Sequence, residues 1–151
     1  MNLIKPRNHR EVRAVADKVR RVEYFYATLP DKPGEGFRIL SALKDAGVLL
    51  LAAHAFPTGG GQSQLDLVAE DASKLKQAAQ AARVTLTGPK GAFLVSGDDR
   101  VGAAAEYAKK LADERINIRA VTAVGAGSGR YGMLLWVAPA DYEKAAKALG
   151  A

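Results

Sequence analysis

The stretch Val22-Glu23-Tyr24-Phe25-Tyr26-Ala27-Thr28-Leu29-Pro30-Asp31-Lys32-Pro33-Gly34 decides how the chain is read. Tyr24, Tyr26 and Thr28 alternate with Phe25, Ala27 and Leu29, which predicts a strand with two unlike faces. Beyond it Phe37, Leu40 and Leu43, with Ile39 and Ala46 beside them, recur at three and four residues and predict a helix that stops at Gly47. The link between the two suits a helix start. Pro33 has the required φ and no N–H to waste, Asp31 can cap the free donors, and Gly34 lets another group approach the backbone. Such a start can receive an anion such as a carboxylate.

The chain continues in the same style. Val48 to Phe56 predicts a second strand, Pro57-Thr58-Gly59-Gly60-Gly61 a loop and Gln64 to Ala69 a third strand. Asp71 is placed to cap a helix carrying Leu75, Ala78, Ala79 and Ala82 on one face, and Val84-Thr85-Leu86 completes the unit as a short fourth strand. The order βαββαβ is the split βαβ, ferredoxin-like unit, an antiparallel sheet with both helices on one face.

A second unit follows Gly88-Pro89-Lys90-Gly91. Ala92 to Ser96 predicts its first strand and Gly97-Asp98-Asp99-Arg100-Val101-Gly102 its loop. Ala103 to Glu114 predicts a helix with Ala104, Ala108 and Leu111 inward. Ile116 to Val124 and Tyr131 to Val137 predict strands around a glycine turn, and Tyr142, Ala145, Ala146 and Leu149 mark a last helix. Asp31 and Gly34 fall on Asp99 and Gly102 at a shift of 68 residues, while Asp71 falls on Asp141 at 70. We place the two-residue difference in the glycine turn, where insertions are cheap. The expected fold class is therefore α+β, with the ferredoxin-like unit repeated twice: an arm over 1–21, one domain over 22–88 and another over 89–151. The second unit lacks a fourth strand of its own, so its sheet is either one strand short or completed by Leu3-Ile4 from the arm.

Composition narrows the function. The 151 residues are 48% hydrophobic and 25% charged, which is globular, and they include no cysteine and two histidines, His9 and His54. A thiolate nucleophile, a disulfide or a transition-metal centre has nothing to be built from, and no cofactor is implied. The start has no apolar core of a signal peptide and Val48 to Ala53 is too short to cross a bilayer, which predicts a cytoplasmic protein without a membrane partner. The net charge of +6 is concentrated: residues 1 to 21 hold seven Lys or Arg against Glu11 and Asp17. An acidic partner, nucleic acid or protein, is the alternative function this arm suggests. A solvated helix with Val12, Val15, Ala16 and Val19 inward is the preferred reading, because no aromatic residue interleaves to stack on bases.

The two strand, Asp-x-Pro-Gly-like loop, helix, strand arrays resemble the ACT domain, a regulatory module that binds amino acids and related metabolites. More closely they resemble stand-alone tandem ACT proteins without an attached enzyme. The resemblance covers residues 22 to 151 and rests on Asp31-Lys32-Pro33-Gly34 with Gly47-Val48, and on Asp99-Arg100-Val101-Gly102 with Ile116-Asn117-Ile118. It implies a non-enzymatic sensor with no catalytic residues, a small-molecule effector such as an amino acid, a homodimer, and a protein partner that receives the signal. It also implies units joined side by side, with effectors held at the seam by Asp31, Lys32, Pro33, Gly34 and Gly47 and by Asp99, Arg100, Gly102 and Asn117. Each unit departs from the pattern in a different half: Leu49 stands where an Asn is usual, Val101 where the Pro is, and Arg115 where the Gly is. One better site per seam, joining the Asp31 loop to Asn117, is expected.

Other constellations lose on context. Gly127-Ser128-Gly129-Arg130-Tyr131-Gly132 spells a dinucleotide fingerprint but precedes a strand instead of a helix. Asp98 and Asp99 are neighbours whose side chains diverge. His54 has no serine in a nucleophile elbow to serve, so a core or interface histidine is expected. Tyr24 and Tyr26 lack the third-strand aromatics that RNA-recognition modules require, and packing against a partner sheet is expected for them.

Overall fold

A computed structural model describes residues 16 to 151. The elements are β1 (Lys18–Pro30), α1 (Glu35–Asp45), β2 (Leu50–Gly59), β3 (Gln62–Ala69), α2 (Ala72–Ala81), β4 (Thr87–Asp98), α3 (Ala103–Asp113), β5 (Ile118–Gly127), β6 (Arg130–Val137) and α4 (Tyr142–Leu149), with a 3-10 turn at Pro139–Asp141. The strands form one antiparallel six-stranded sheet in the order β2-β3-β1-β4-β6-β5. This is the expected α+β, ferredoxin-like class.

The middle of the sheet differs from expectation. Residues 84 to 86 form no strand; β4 starts at Thr87 and runs through Gly88 and Pro89 to Asp98 as one strand. Its partner β1 is equally long. Phe25 to Pro30 pair with β3, while Lys18 to Tyr24 pair with Ser96 to Lys90 of β4. The first half of β1 thus takes the fourth-strand place in the second unit, and the start of β4 does so in the first. Lys18 to Arg21 are strand, not the helix expected of the arm, because their backbone groups are satisfied by β4. The edge strand expected of Leu3-Ile4, and the part of the expected arm helix before residue 16, lie outside the described residues.

Both helix pairs cover one face. Phe25, Ala27, Leu29, Leu65 and Leu67 meet Ile39 and Leu43 of α1 and Leu75 and Ala78 of α2. Phe93, Val95, Met133 and Leu135 meet Tyr107 and Leu111 of α3 and Ala145, Ala146 and Leu149 of α4. Two helical faces are corrected. Phe37 is 76% exposed and Leu40 is 39% exposed, so the buried stripe of α1 is Ile39–Leu43. In α3 the inward residues are Ala103, Tyr107 and Leu111, with Ala104 and Ala108 outside. Tyr107 can point inward because its hydroxyl finds a carboxylate, described below, that satisfies it.

The opposite face is concave. Laid flat, the outermost strands of six would stand about 24 Å apart, yet Thr122 Oγ1 of β5 lies 3.2 Å from His54 Nδ1 of β2. The sheet therefore curls on itself, which buries Val68, Ala92, Leu134 and Trp136 without any helix above them.

The repeat holds element by element at 68 residues through β6, down to the hydrogen bonds Asp31 N–H to Gly61 O and Asp99 N–H to Gly129 O, both 2.8 Å. The hairpin turns Gly60-Gly61 and Ser128-Gly129 are equal in length, with φ of 60° and 72° against 51° and 69°. Both residues of a two-residue hairpin with positive φ give a type I′ turn, which explains why the strands run further into the glycines than predicted. The two extra residues accordingly do not sit in the glycine turn. They fall after β6, where Pro139–Asp141 form the 3-10 turn.

Position 47 shows where the repeat is strained. Gly47 follows α1 at φ 67°, and its counterpart Arg115 follows α3 at φ 56°. An L-residue there costs about 1 kcal/mol. Replacing Arg115 with Gly is expected to raise stability by up to that amount and Gly47→Ala to lower it by about 1 kcal/mol, read as opposite shifts of the urea midpoint at unchanged slope. A Gly47→Ala protein as stable as the parent would refute this.

Candidate functional site

The two loops begin where β1 and β4 end. Because those strands are antiparallel, the loops lie at opposite ends of the central pair, each against the hairpin of its own unit. Gly34 and Gly102 are the residues before α1 and α3, at φ 93° and 85°, and neither helix has a side-chain cap. Glycine is needed for that conformation, and the capping expected of Asp31 and Asp99 does not occur. Asp71, by contrast, does cap α2, accepting from Lys74 N–H at 3.0 Å.

The carboxylates of the two loops have different fates. Asp31 accepts a 2.8 Å hydrogen bond from Ser63 Oγ on β3. At the place of Ser63 the second unit has Tyr131, whose hydroxyl turns instead to Asp17 at 2.6 Å. Asp99 is left with no side-chain hydrogen bond or ion pair among the described residues, and it lies beside Gly125, where a side chain would come within 3.6 Å of its carboxylate. The first turn of α3 adds the N–H groups of Ala104 and Ala105, the unpaired donors of a helix start. Together with Ala123 to Gly125 of β5 they line a cleft of about 250 Å³. Asp99, Arg100 and Gly102 meet there.

The remaining expected residues stand elsewhere. Lys32 and Pro33 are exposed in the first loop, and Gly47 closes α1 with the Lys74 ammonium near it. Asn117 is exposed just before β5, at the same end of the sheet as Asp31 but with β4 and β6 between β1 and β5. The arrangement within the chain does not bring Asn117 to the Asp31 loop.

Arg100 is held by a network that sequence reading missed. Its guanidinium donates to both oxygens of Asp17 at 3.1 and 3.0 Å and to Glu106, while Tyr107 donates to Asp17 at 2.8 Å. Burial raises the Asp17 carboxyl pKa, but the hydrogen bonds from Arg100, Tyr131 and Tyr107 and the Arg100 charge outweigh it and hold the group below the usual carboxylate range. Both tyrosines are pushed up, first by burial and then by that carboxylate. The only sequence signal was Gly97: a Cβ there would fall 1.8 Å from Asp17 Oδ1.

The concave face holds a second polar group of residues. Asp66 is 5% exposed and accepts from Gln64 Nε2 at 2.8 Å. Burial pushes its carboxyl up, against the Gln64 hydrogen bond and the charges of His54 and Lys90. His54 lies between Phe56 and Trp136, and Tyr24 meets Trp136 edge-on at 6.1 Å. Tyr24 thus packs within its own sheet. Asp98 and Arg130 pair with each other across the neighbouring strands β4 and β6. Among the described residues no group of three side chains could hold a metal, and no helix is long and apolar enough to cross a membrane.

No protein-family model and no curated protein matches this sequence. Solved structures do. Protein BT0572 from Bacteroides thetaiotaomicron superposes with a TM-score of 0.74 at 16% identity, over 87% of this chain and 88% of that one. The aspartokinase alpha and beta subunits give 0.62 at 19% identity over 90% and 95% of the two chains. The ligand-free regulatory subunit of aspartate kinase from Thermus thermophilus gives 0.59 at 16% identity over 91% and 95%. At such identities the likeness is one of fold, and it agrees with the ACT-like architecture.

The Asp17 network sets an acid limit. A carboxylate with a depressed folded pKa contributes stability that is present above its unfolded value of 3.8 and is lost as pH falls through the lower folded value. Asp17→Asn is expected to cost about 2 kcal/mol at pH 7, and the gap to the parent in urea unfolding should shrink below about pH 4. A gap that is independent of pH would show that the charge of Asp17 is not what stabilises.

Proposed function

We propose that this chain is a non-enzymatic sensor that binds a small metabolite, an amino acid by preference, in the Asp99 cleft. One observation carries this reading: the Asp99 carboxylate, without a side-chain partner among the described residues, and the open start of α3 share one cleft of about 250 Å³. An α-ammonium would pair with Asp99 and an α-carboxylate would accept from the N–H groups of Ala104 and Ala105, so both charges of a zwitterion are met. Arg100 shapes the cleft and its guanidinium stays with Asp17 and Glu106. The first unit offers less, since Ser63 already occupies Asp31. The regulatory subunit of aspartate kinase, similar in fold, supports a regulatory role.

Signal transmission needs a partner surface. Phe37 and Leu40 expose apolar area on α1, and we place a homodimer contact there. Phe37→Ser is expected to shift a concentration-dependent sedimentation profile toward monomer. A parent protein that is monomeric at every concentration would remove the dimer from the proposal.

The ligand is sought by thermal shift with the twenty amino acids, followed by calorimetry. At a hundredfold excess over Kd a ligand adds about 2.7 kcal/mol, a rise in Tm of roughly 5 to 10 °C for a chain of this size. Asp99→Ala should weaken the binding by tenfold or more, about 1.4 kcal/mol. If no amino acid raises Tm, or if Asp99→Ala binds equally well, the Asp99 cleft is not an amino-acid site.

A further inference from the structure

A cavity of about 530 Å³ lies away from both loops. It opens where β4 before Phe93 and β6 after Leu135 no longer pair, and is lined by Tyr24 and Trp136 of the concave face, by Tyr142 of α4 on the helical face, and by Pro89, Lys90 and Arg119 among others. Two irregularities in the ladders meet at it. The β1·β4 register shifts between Tyr24 and Tyr26, which leaves Gly88 and Pro89 bulged beside Lys90. The β5·β6 register shifts between Ile118 and Ala120, so Arg119 is itself the bulged residue. Bulges re-aim side chains, and here two of them turn cations to one opening.

The duplication provides an internal control. At the counterparts of Lys90, Arg119 and Trp136 the first unit has Val22, Leu51 and Val68, and the counterpart of Tyr24 is Ala92. Those four residues belong to one apolar cluster, which Tyr24 and Trp136 also join. The same backbone, with Leu51 also at a register shift, therefore carries small and aliphatic side chains at these positions in one half and cationic and aromatic ones in the other. A requirement of the fold alone would apply to both halves. Trp136 Nε1 adds a chemical vacancy: among the described residues it is the one buried side-chain polar atom without a hydrogen-bond partner. Leaving such a donor unpaired costs about 1 to 3 kcal/mol. Arg119 has no ion pair among the described residues, and Lys90 Nζ rests 4.8 Å from the centre of the Tyr26 ring.

We propose that this cavity is a second ligand site, separate from the Asp99 cleft, for a flat aromatic anion whose ring lies against Tyr24, Trp136 and Tyr142 and whose acidic group sits between Lys90 and Arg119. Aromatic walls suit a planar ring, and the Lys90 ammonium with the exposed Arg119 guanidinium suits a carboxylate or a phosphate. A free amino acid fits less well: it would bring an ammonium toward two cations.

Trp136 is the single tryptophan and reports on its own site. Two probes of the shared chemistry, 4-hydroxyphenylacetate and AMP, distinguish an aryl carboxylate from a nucleotide, and the neutral 4-hydroxyphenylethanol and adenosine serve as controls. Each is titrated by tryptophan emission and by calorimetry. At least one acid is expected to bind and alter the emission, with its neutral analogue at least tenfold weaker. Arg119→Leu and Lys90→Val install the residues that the first unit carries at these positions, and each should weaken the acid tenfold or more, while Asp99→Ala leaves it unchanged. Failure of both acids to bind at millimolar concentration, equal binding of acid and neutral analogue, or unchanged affinity in both cation variants would overturn the proposal. The comparison of acid with neutral analogue needs only the parent protein, so it decides even if a variant does not fold. Loss of binding in Asp99→Ala would merge the two sites and equally reject a separate one.

Discussion

Everything in this molecule hangs on the antiparallel pairing of β1 with β4. Each strand is long enough to do two jobs, as the first strand of its own half and the fourth strand of the other. Neither half closes its sheet alone: without Lys18 to Tyr24 the second half has an open edge along Ala92 to Ser96, and without the start of β4 the first half loses the neighbour of Tyr26. The pairing and the packing of α4 on it leave no room for a side chain at three glycines. A side chain at Gly97 would meet Asp17, one at Gly88 would come within 2.9 Å of Phe25 and of the Tyr24 carbonyl, and one at Gly91 would enter the Tyr142 ring at 2.5 Å. The gain is cooperativity, since two small units of this size are marginal separately and share one sheet together.

The same pairing marks the limit of what the sequence reveals. Local patterns were readable: the alternation from Phe25 to Leu29, the buried positions of α2 and α4, the Asp71 cap and the glycine before each first helix all follow from short-range chemistry. The continuity of β4 was not, because Gly88-Pro89-Lys90-Gly91 carries every signal of a turn and only the distant partner β1 makes it strand. Tyr107 was missed as a core residue since its burial depends on a carboxylate ninety positions earlier. Arg115 in a left-handed conformation gives no sign in its residue type; only alignment with Gly47 shows it. Of the candidate site, the loops and their glycines were legible. The relation of Asn117 to the Asp31 loop was not, being a matter of which strands intervene.

Duplication then supplies a comparison that a single unit cannot. Where both halves keep a feature, such as the left-handed glycine before the helix or the bond from the loop N–H to the hairpin carbonyl, the backbone requires it. Where they part, the backbone is indifferent and another demand has acted. At the loops the divergence is Ser63 against Tyr131: the serine satisfies Asp31, whereas the tyrosine is drawn to Asp17 and leaves Asp99 unsatisfied.

Around the cavity the divergence is Val22, Leu51 and Val68 against Lys90, Arg119 and Trp136, and the indole N–H of Trp136 has no partner among the described residues. A buried indole N–H without a partner lowers stability, so its place in one half opposes what packing alone would produce. At two separate places, beside the Asp99 loop and at the cavity near Trp136, the halves of one fold therefore carry different side chains on the same backbone, and at both places the second half holds charged or polar groups without a partner among the described residues.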